Sequence, residues 1–150
     1  MEITYEIKDY DSLTTTELYE IMSLRQEVFI VEQDCPYQDA DGKDQKCHHV
    51  MGWVEDRLHT YARLVPKGIS YSDYISIGRV ITSTDLRRKG YGKPLMQKSI
   101  EAIKQLFPGE DIKISAQVYA IPFYSALGFS SIGEEYLEDD IPHIAMYLKC

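Results

Sequence analysis

Between Leu86 and Ile100 the chain carries five cations, Arg87, Arg88, Lys89, Lys93 and Lys98, and no acid, although acidic residues outnumber basic ones 24 to 16 overall. Two glycines, Gly90 and Gly92, sit inside that cluster. The segment before it, Ile77-Gly78-Arg79-Val80-Ile81-Thr82, reads as a strand, and Tyr91 to Phe107 reads as a helix. Strand, glycine-bearing turn and helix is the order an anion cradle needs. Glycine lets backbone N–H groups approach an anion closely, and the open N–H groups at a helix start add about half a positive charge. Arg87-Arg88-Lys89-Gly90-Tyr91-Gly92 is therefore the candidate anion site, with a solvated basic helix start as its alternative. Neither G-x-G-x-x-G nor G-x-x-x-x-G-K-[ST] occurs, which sets aside a dinucleotide fingerprint and a P-loop.

Groups that could move protons lie elsewhere. On a helix turning ~100° per residue, Arg25 and Glu32 fall within roughly 20° of each other, inside the apolar arc of Leu18, Ile21, Val28 and Phe29. Two ionisable groups on a buried face imply a paired, hydrogen-bonded network. The other reading has this helix end bordering an acceptor cleft, with Glu32 binding an amine or relaying its proton. His48, His49 and His143 are further bases of suitable pKa. On a strand His48 and His49 point to opposite faces, so at most one faces a site, and His49 joins Glu32 as a candidate base. Cys47-His48-His49 with Cys35 lacks the paired short spacings of a zinc site. Asp39-x-Asp41-Gly42 with Asp44 fails the calcium-loop pattern, leaving an Asp-rich turn and no expected metal. A covalent route through Cys47 has no other support.

These groups need a scaffold. Ile3, Tyr5 and Ile7 alternate with polar residues as in a half-buried strand. Thr14 and Glu17 form a candidate capping box for a helix from about Thr15 to Glu32. Residues 34–44, rich in Asp with Pro36 and Gly42, predict an irregular surface loop. Three strands follow at 48–55, 58–66 and 75–82, the first two joined by a tight turn at Asp56-Arg57. The helix from Tyr91 has Pro94 in its first turn and stops at Pro108-Gly109. A strand at 112–118, a short helix at 121–127 and strands near 129–137 and 143–148 complete the order.

The 150 residues fit one domain spanning 1–150. A formal charge of −8 repels nucleic acid and suits a cationic substrate. No apolar run approaches the ~20 residues that span a bilayer, so no membrane partner is expected. The odd number of cysteines, Cys35, Cys47 and Cys150, and an acidic start at Met1-Glu2-Ile3-Thr4 point to a cytoplasmic protein with free thiols.

Arg87-x-x-Gly90-x-Gly92 matches the pattern [RQ]-x-x-G-x-[GA], and in this β-α-βββ-α-β-α-ββ order it resembles the acetyl-CoA signature of the GNAT superfamily of N-acetyltransferases. Ser23 to Tyr37 and Asp140 to Met146 are similar to the opening and ending of the ElaA-like proteins within it. The resemblance implies an α/β (α+β) fold, the GNAT acyl-CoA N-acyltransferase fold, with a central mixed sheet flanked by helices on both faces. It implies that the strand before the turn bears a bulge, that Val80, Ile81 and Thr82 offer backbone groups to pantetheine, and that Arg87, Arg88, Lys89, Gly90, Tyr91 and Gly92 hold the pyrophosphate. By the same resemblance the Tyr124 hydroxyl protonates the departing thiolate, a role that a phenol of pKa about 10 can fill at neutral pH. The implied activity is direct acetyl transfer from acetyl-CoA to a primary amine of a small molecule or peptide. Two alternatives stand beside it, a non-catalytic acyl-CoA-binding module and an interaction domain that holds another anion. A homodimer is an open possibility.

Overall fold

A computed structural model describes residues 2–150; Met1, at the head of the acidic start, lies outside them. The chain runs β1 (Thr4–Asp9), α1 (Thr15–Arg25), β2 (His48–Val54), β3 (Arg57–Val65), β4 (Ser76–Thr82), α2 (Gly92–Leu106), β5 (Ile112–Gln117), α3 (Ile121–Ala126), β6 (Ser130–Ser131), β7 (Tyr136–Glu138) and β8 (Ile141–Leu148). Strands β1 to β4 form one antiparallel sheet in chain order, and β8 lies between β5 and β6 in a second, with β7 also paired to it. The two sheets meet in parallel at Ile75 and Ile112. There the Ile75 N–H donates to Asp111 O at 3.2 Å and the Lys113 N–H donates to Ile75 O at 2.9 Å. The expected mixed sheet is thus antiparallel except at this junction, beyond which β4 and β5 make no ladder with each other. Among the described residues no helix is long and apolar enough to cross a membrane.

Helices cover both faces, as expected. Ile21, Leu24 and Val28 pack on Met51, Tyr61 and Ile81, whereas Leu95, Met96 and Ile103 of α2 pack on Val50, Ala62, Leu64 and Ile77. Val50 and Met51 are consecutive, so the strand pleat sends them to opposite cores. Ile77 and Ile81, four apart, would share a face of a regular strand, yet they too serve opposite cores. The reason is a bulge. While β3 advances from Tyr61 to Arg63, β4 advances from Gly78 to Ile81, and Arg79 takes a φ of 51°. One extra residue reverses the facing of everything after it.

The first helix departs from expectation. Its capping box forms, with the Glu17 N–H donating to Thr14 Oγ1 and the Thr14 N–H donating to Glu17 Oε1. The α-helix, however, ends at Arg25 and Gln26–Glu32 winds on as a π-helix. Each π turn takes up more residues than an α turn, so the phase that aligned Arg25 with Glu32 is lost. Arg25 is buried and Glu32 lies at the surface.

The last strands also differ. The expected 129–137 strand is only Ser130–Ser131 and Tyr136–Glu138, and β8 starts at Ile141 rather than 143. Glu138 pairs with Ile141 across Asp139 and Asp140, whose φ values of 52° and 62° make a two-residue hairpin turn of the primed type. Asp tolerates the left-handed region, which suits it to this position.

Candidate active site

A cleft of about 860 Å³ opens where β4 and β5 part, a size within the ordinary range of ligand sites. Its walls are β4 from Ile77 to Thr82, the π-helical segment and the residues after it, and β5 with Ile141 and His143 of β8. Four carboxylates line it, Glu32, Asp34, Glu138 and Asp139. The two guanidiniums in its walls, Arg79 and Arg87, are each already paired with a carboxylate. The cleft therefore favours a cation over an anion away from the Arg87 turn.

The bulge in β4 is anchored from outside the sheet. Arg79, the residue with positive φ, donates from Nε to Asp39 Oδ1 at 2.8 Å. The same Asp39 accepts from Arg25 Nε at 2.7 Å and from the Tyr37 hydroxyl at 2.9 Å. Asp44 Oδ1 receives Arg25 Nη1 at 2.7 Å and Arg63 Nη1 at 2.9 Å, and Asp41 receives both terminal nitrogens of Arg63. Three arginines and three aspartates so form one charge-balanced network. Residues 34–44 are therefore not simply a surface loop: Asp39 and Asp44 are buried, and the Asp-rich turn binds guanidinium. The Arg63 contacts outweigh the cost of burying Asp41 and hold its carboxyl well below the usual carboxylate range.

The candidate anion turn has the form an anion needs. Arg88 and Gly90 take φ values of 62° and 84°, and the backbone N–H groups of Arg88 to Tyr91 find no acceptor among the described residues. Such a turn points successive N–H groups at one space. The first turn of α2 has no acid and no capping side chain, leaving its positive end open. Val80, Ile81, Thr82 and Arg87 line the cleft. The Ile81 side chain is buried among α1 residues, so its backbone alone is available. Arg88, Lys89 and Gly90 are exposed, with Tyr91 and Gly92 half-buried at the head of α2. Arg87 itself bends to Glu32, reaching both carboxylate oxygens, and donates from Nη2 to Thr82 O at 3.2 Å.

Tyr124 stands in the cleft wall, its ring edge-on to Phe123 and Phe129 at centroid distances of 5.1 and 5.8 Å. Burial pushes its phenol up to about 12, so it holds its proton across the neutral range. On the same wall, His143 is buried with Nδ1 at 2.7 Å from the Ile141 carbonyl oxygen and Nε2 at 3.4 Å from Glu138 Oε2. Ser115 contacts the Tyr136 hydroxyl, and the Tyr136 ring stacks on His143 at 6.2 Å.

Three candidate roles change. His49 is not a base facing the cleft. It is fully buried, its Nε2 lies 3.0 Å from the Asp44 carbonyl oxygen, and its Nδ1 lies 2.6 Å from the Tyr61 hydroxyl. A carbonyl only accepts, so Nε2 carries the proton and the lone pair on Nδ1 is spent on Tyr61. Glu32 does border the cleft, but its partners are Arg87 and Thr84, and the Arg87 hydrogen bond lowers its pKa. Cys47 is buried, donates to Lys43 O at 3.1 Å and is pushed up to about 11 by burial, which makes it a poor nucleophile. Glu138, Ser115 and Tyr136 were missed. The Asp139-Asp140 pair between apolar Leu137 and Ile141 was the available signal, since it predicts a hairpin that folds Glu138 back beside His143.

Two splayed sheets joined at one parallel step, with a bulged strand leading into an open helix start, define an acyl-CoA N-acyltransferase fold. Residues 12–150 match the acetyltransferase (GNAT) domain family, and the chain belongs to it. The chain is similar to a UPF0039 protein of Schizosaccharomyces pombe, 41% identical over 99% of this chain and 97% of that one. It is also similar to protein ElaA of Escherichia coli, 39% identical over 96% of this chain and 95% of that one. The crystal structure of Escherichia coli ElaA superposes with a TM-score of 0.92, covering 99% of this chain and all 100% of that one. An acyl-CoA N-acyltransferase from Pseudomonas aeruginosa superposes with a TM-score of 0.93 at 39% identity, covering 98% of this chain and 99% of that one. The ElaA-like resemblance is therefore a family relationship.

Proposed function

We propose that this chain transfers the acetyl group of acetyl-CoA directly to a primary amine. The observation that carries this is the cleft between the β4 bulge and Tyr124, with Arg87, the first residue of the Arg87 to Gly92 turn, in its wall. The pyrophosphate sits on the free N–H groups of that turn and the open start of α2. Pantetheine runs along Val80, Ile81 and Thr82, whose edge is unpaired where β4 leaves β5. An N–H group at the bulge stabilises the oxyanion, a kind of contact worth about 2.7–4 kcal/mol in other enzymes. Tyr124 then protonates the departing sulfur. Glu32 restrains Arg87 until the phosphates displace it. No step uses a metal, and free thiols at Cys35, Cys47 and Cys150 favour a reducing, cytoplasmic setting.

Calorimetry with acetyl-CoA and CoA, followed by thiol release across a panel of primary amines, tests this reading. Saturable binding with amine-dependent thiol release is expected. Binding without release from any amine would instead leave an acyl-CoA-binding module, and no binding at millimolar ligand would remove the CoA site altogether.

A further inference from the structure

The His143 tautomer is fixed by its surroundings. The Ile141 carbonyl oxygen 2.7 Å from Nδ1 can only accept, so Nδ1 carries a proton, and in the neutral ring it is Nε2 that presents a lone pair. That lone pair faces Glu138 Oε2 at 3.4 Å, another acceptor. Two acceptors this close leave room for one group that donates to both. An alkylammonium, with several N–H donors and a positive charge, is such a group. His143 lies opposite Gln117 at the end of β5, from which the chain turns directly into α3 and Tyr124. Glu138, Asp139, His143 and Tyr124 line one cleft whose charge favours cations.

Resting on the acyl transfer proposed above, we propose that Glu138 and His143 form the seat of the acceptor, a cationic primary amine, and that His143 is its general base. The ammonium donates to Glu138 and His143; Nε2 takes one proton, and the freed nitrogen lone pair attacks the thioester carbon. The new C–N bond forms, the C–S bond then breaks, and the electron pair leaves on sulfur. Of the three ammonium protons, one remains on the amide and one passes through His143 to water. The third is lost as the tetrahedral intermediate collapses and reprotonates Tyr124 after that residue has protonated sulfur.

Steady-state kinetics with putrescine as acceptor separate the two roles. Glu138→Gln is expected to raise KM by about tenfold or more with kcat little changed, since it removes a charge partner of the bound ammonium. His143→Gln is expected to lower kcat by about 100-fold and to abolish the acidic limb of the kcat/KM profile, which a merely structural residue would leave in place. Both variants should bind acetyl-CoA with wild-type affinity. A His143→Gln enzyme with wild-type kcat and pH profile overturns the base. Independently, putrescine added to the CoA-loaded wild-type protein should move the His143 ring resonances in NMR spectra, and Glu138→Gln should suppress the movement. Unmoved resonances overturn the amine seat even if the protein turns over. Movement without thiol release from any amine supports the seat while sinking the transferase reading.

Discussion

At the scale of single residues, Tyr124 carries the sharpest consequence. Its phenol, raised by burial to about 12, is an acid that is lost only as pH rises through that value. It therefore contributes no alkaline fall in kcat between neutral pH and about 10, the ordinary phenol value. Tyr124→Phe keeps the ring between Phe123 and Phe129 and removes only the acid. We expect kcat to fall by roughly 100-fold, the lower end for general acid catalysis, with the acetyl-CoA Kd and thermal midpoint unchanged. Single-turnover thiol release beside calorimetry checks this, and a variant with wild-type kcat would leave Tyr124 a packing residue. Glu32 yields a prediction of opposite sign. Its pair with Arg87 is largely solvent-exposed, so it is worth about 0–1 kcal/mol to folding. It also places a carboxylate on a guanidinium next to the anion turn. Glu32→Gln should leave kcat unchanged and tighten acetyl-CoA by up to about fivefold, the equivalent of 1 kcal/mol. A fall in kcat at constant Kd would restore Glu32 to the proton path.

At the scale of elements, the Asp-rich loop is the support of the bulge, and its network is where stability concentrates. Removing one partner of a buried ion pair leaves an uncompensated charge and costs about 3–5 kcal/mol. Asp44→Asn strips a carboxylate that both Arg25 and Arg63 use, and urea unfolding should register a loss of that order. Asp41 and Asp44 both titrate below their ordinary range in the folded chain, drawn down by the hydrogen bonds of Arg63 and Arg25 respectively. A depressed carboxylate stabilises the fold above its unfolded pKa of about 3.9, and that contribution is lost as pH falls through the folded value. Acid unfolding followed by circular dichroism should therefore begin below about pH 4, with a shallower pH dependence in Asp44→Asn. Much of this element order was legible in the sequence. The capping box of α1, the open start of α2, the strand before the turn and Tyr124 on α3 all rest on local patterns of residues. What escaped depends on a phase or a partner. The π-helix after Arg25 turned Glu32 to the surface and the hairpin at Asp139-Asp140 brought Glu138 beside His143, whereas the bulge was implied by the resemblance and only its place at Arg79 and its reversal of Ile81 escaped. Residues 34–44 have the composition of a loop and lie mostly at the surface, and only three-dimensional contact with Arg25, Arg63 and Arg79 buries Asp39 and Asp44.

At the scale of the molecule, the cleft exists because two sheets share one parallel step at Ile75 and Ile112 and then separate. Neither β4 nor β5 offers its facing edge a strand partner beyond that step, so this seam is where the fold can open with least loss of hydrogen bonding. A ligand lying in the cleft replaces the missing partner and holds both sheets at once. Acetyl-CoA at about 100 times its Kd should add about 2.7 kcal/mol of stability by mass action alone. In a chain of this size each kcal/mol moves the thermal midpoint by about 2–4 °C, so the expected rise is roughly 5–10 °C. Hydrogen exchange should slow in the same complex along residues 77–82 and 114–117, and at the turn 88–91. Gly90→Val supplies the control. Gly90 sits at a φ of 84°, which a β-branched side chain adopts only with strain, so valine there shifts the backbone that aims the N–H groups of the turn. That variant should fold, since nothing lies within 4 Å of the added Cβ, yet lose most of the ligand-induced shift. Protection confined to the turn and absent from both strand edges would mean that the phosphates bind without pantetheine entering the seam. The cleft would then hold some other ligand, although the Arg87 to Gly92 turn still captured its anion.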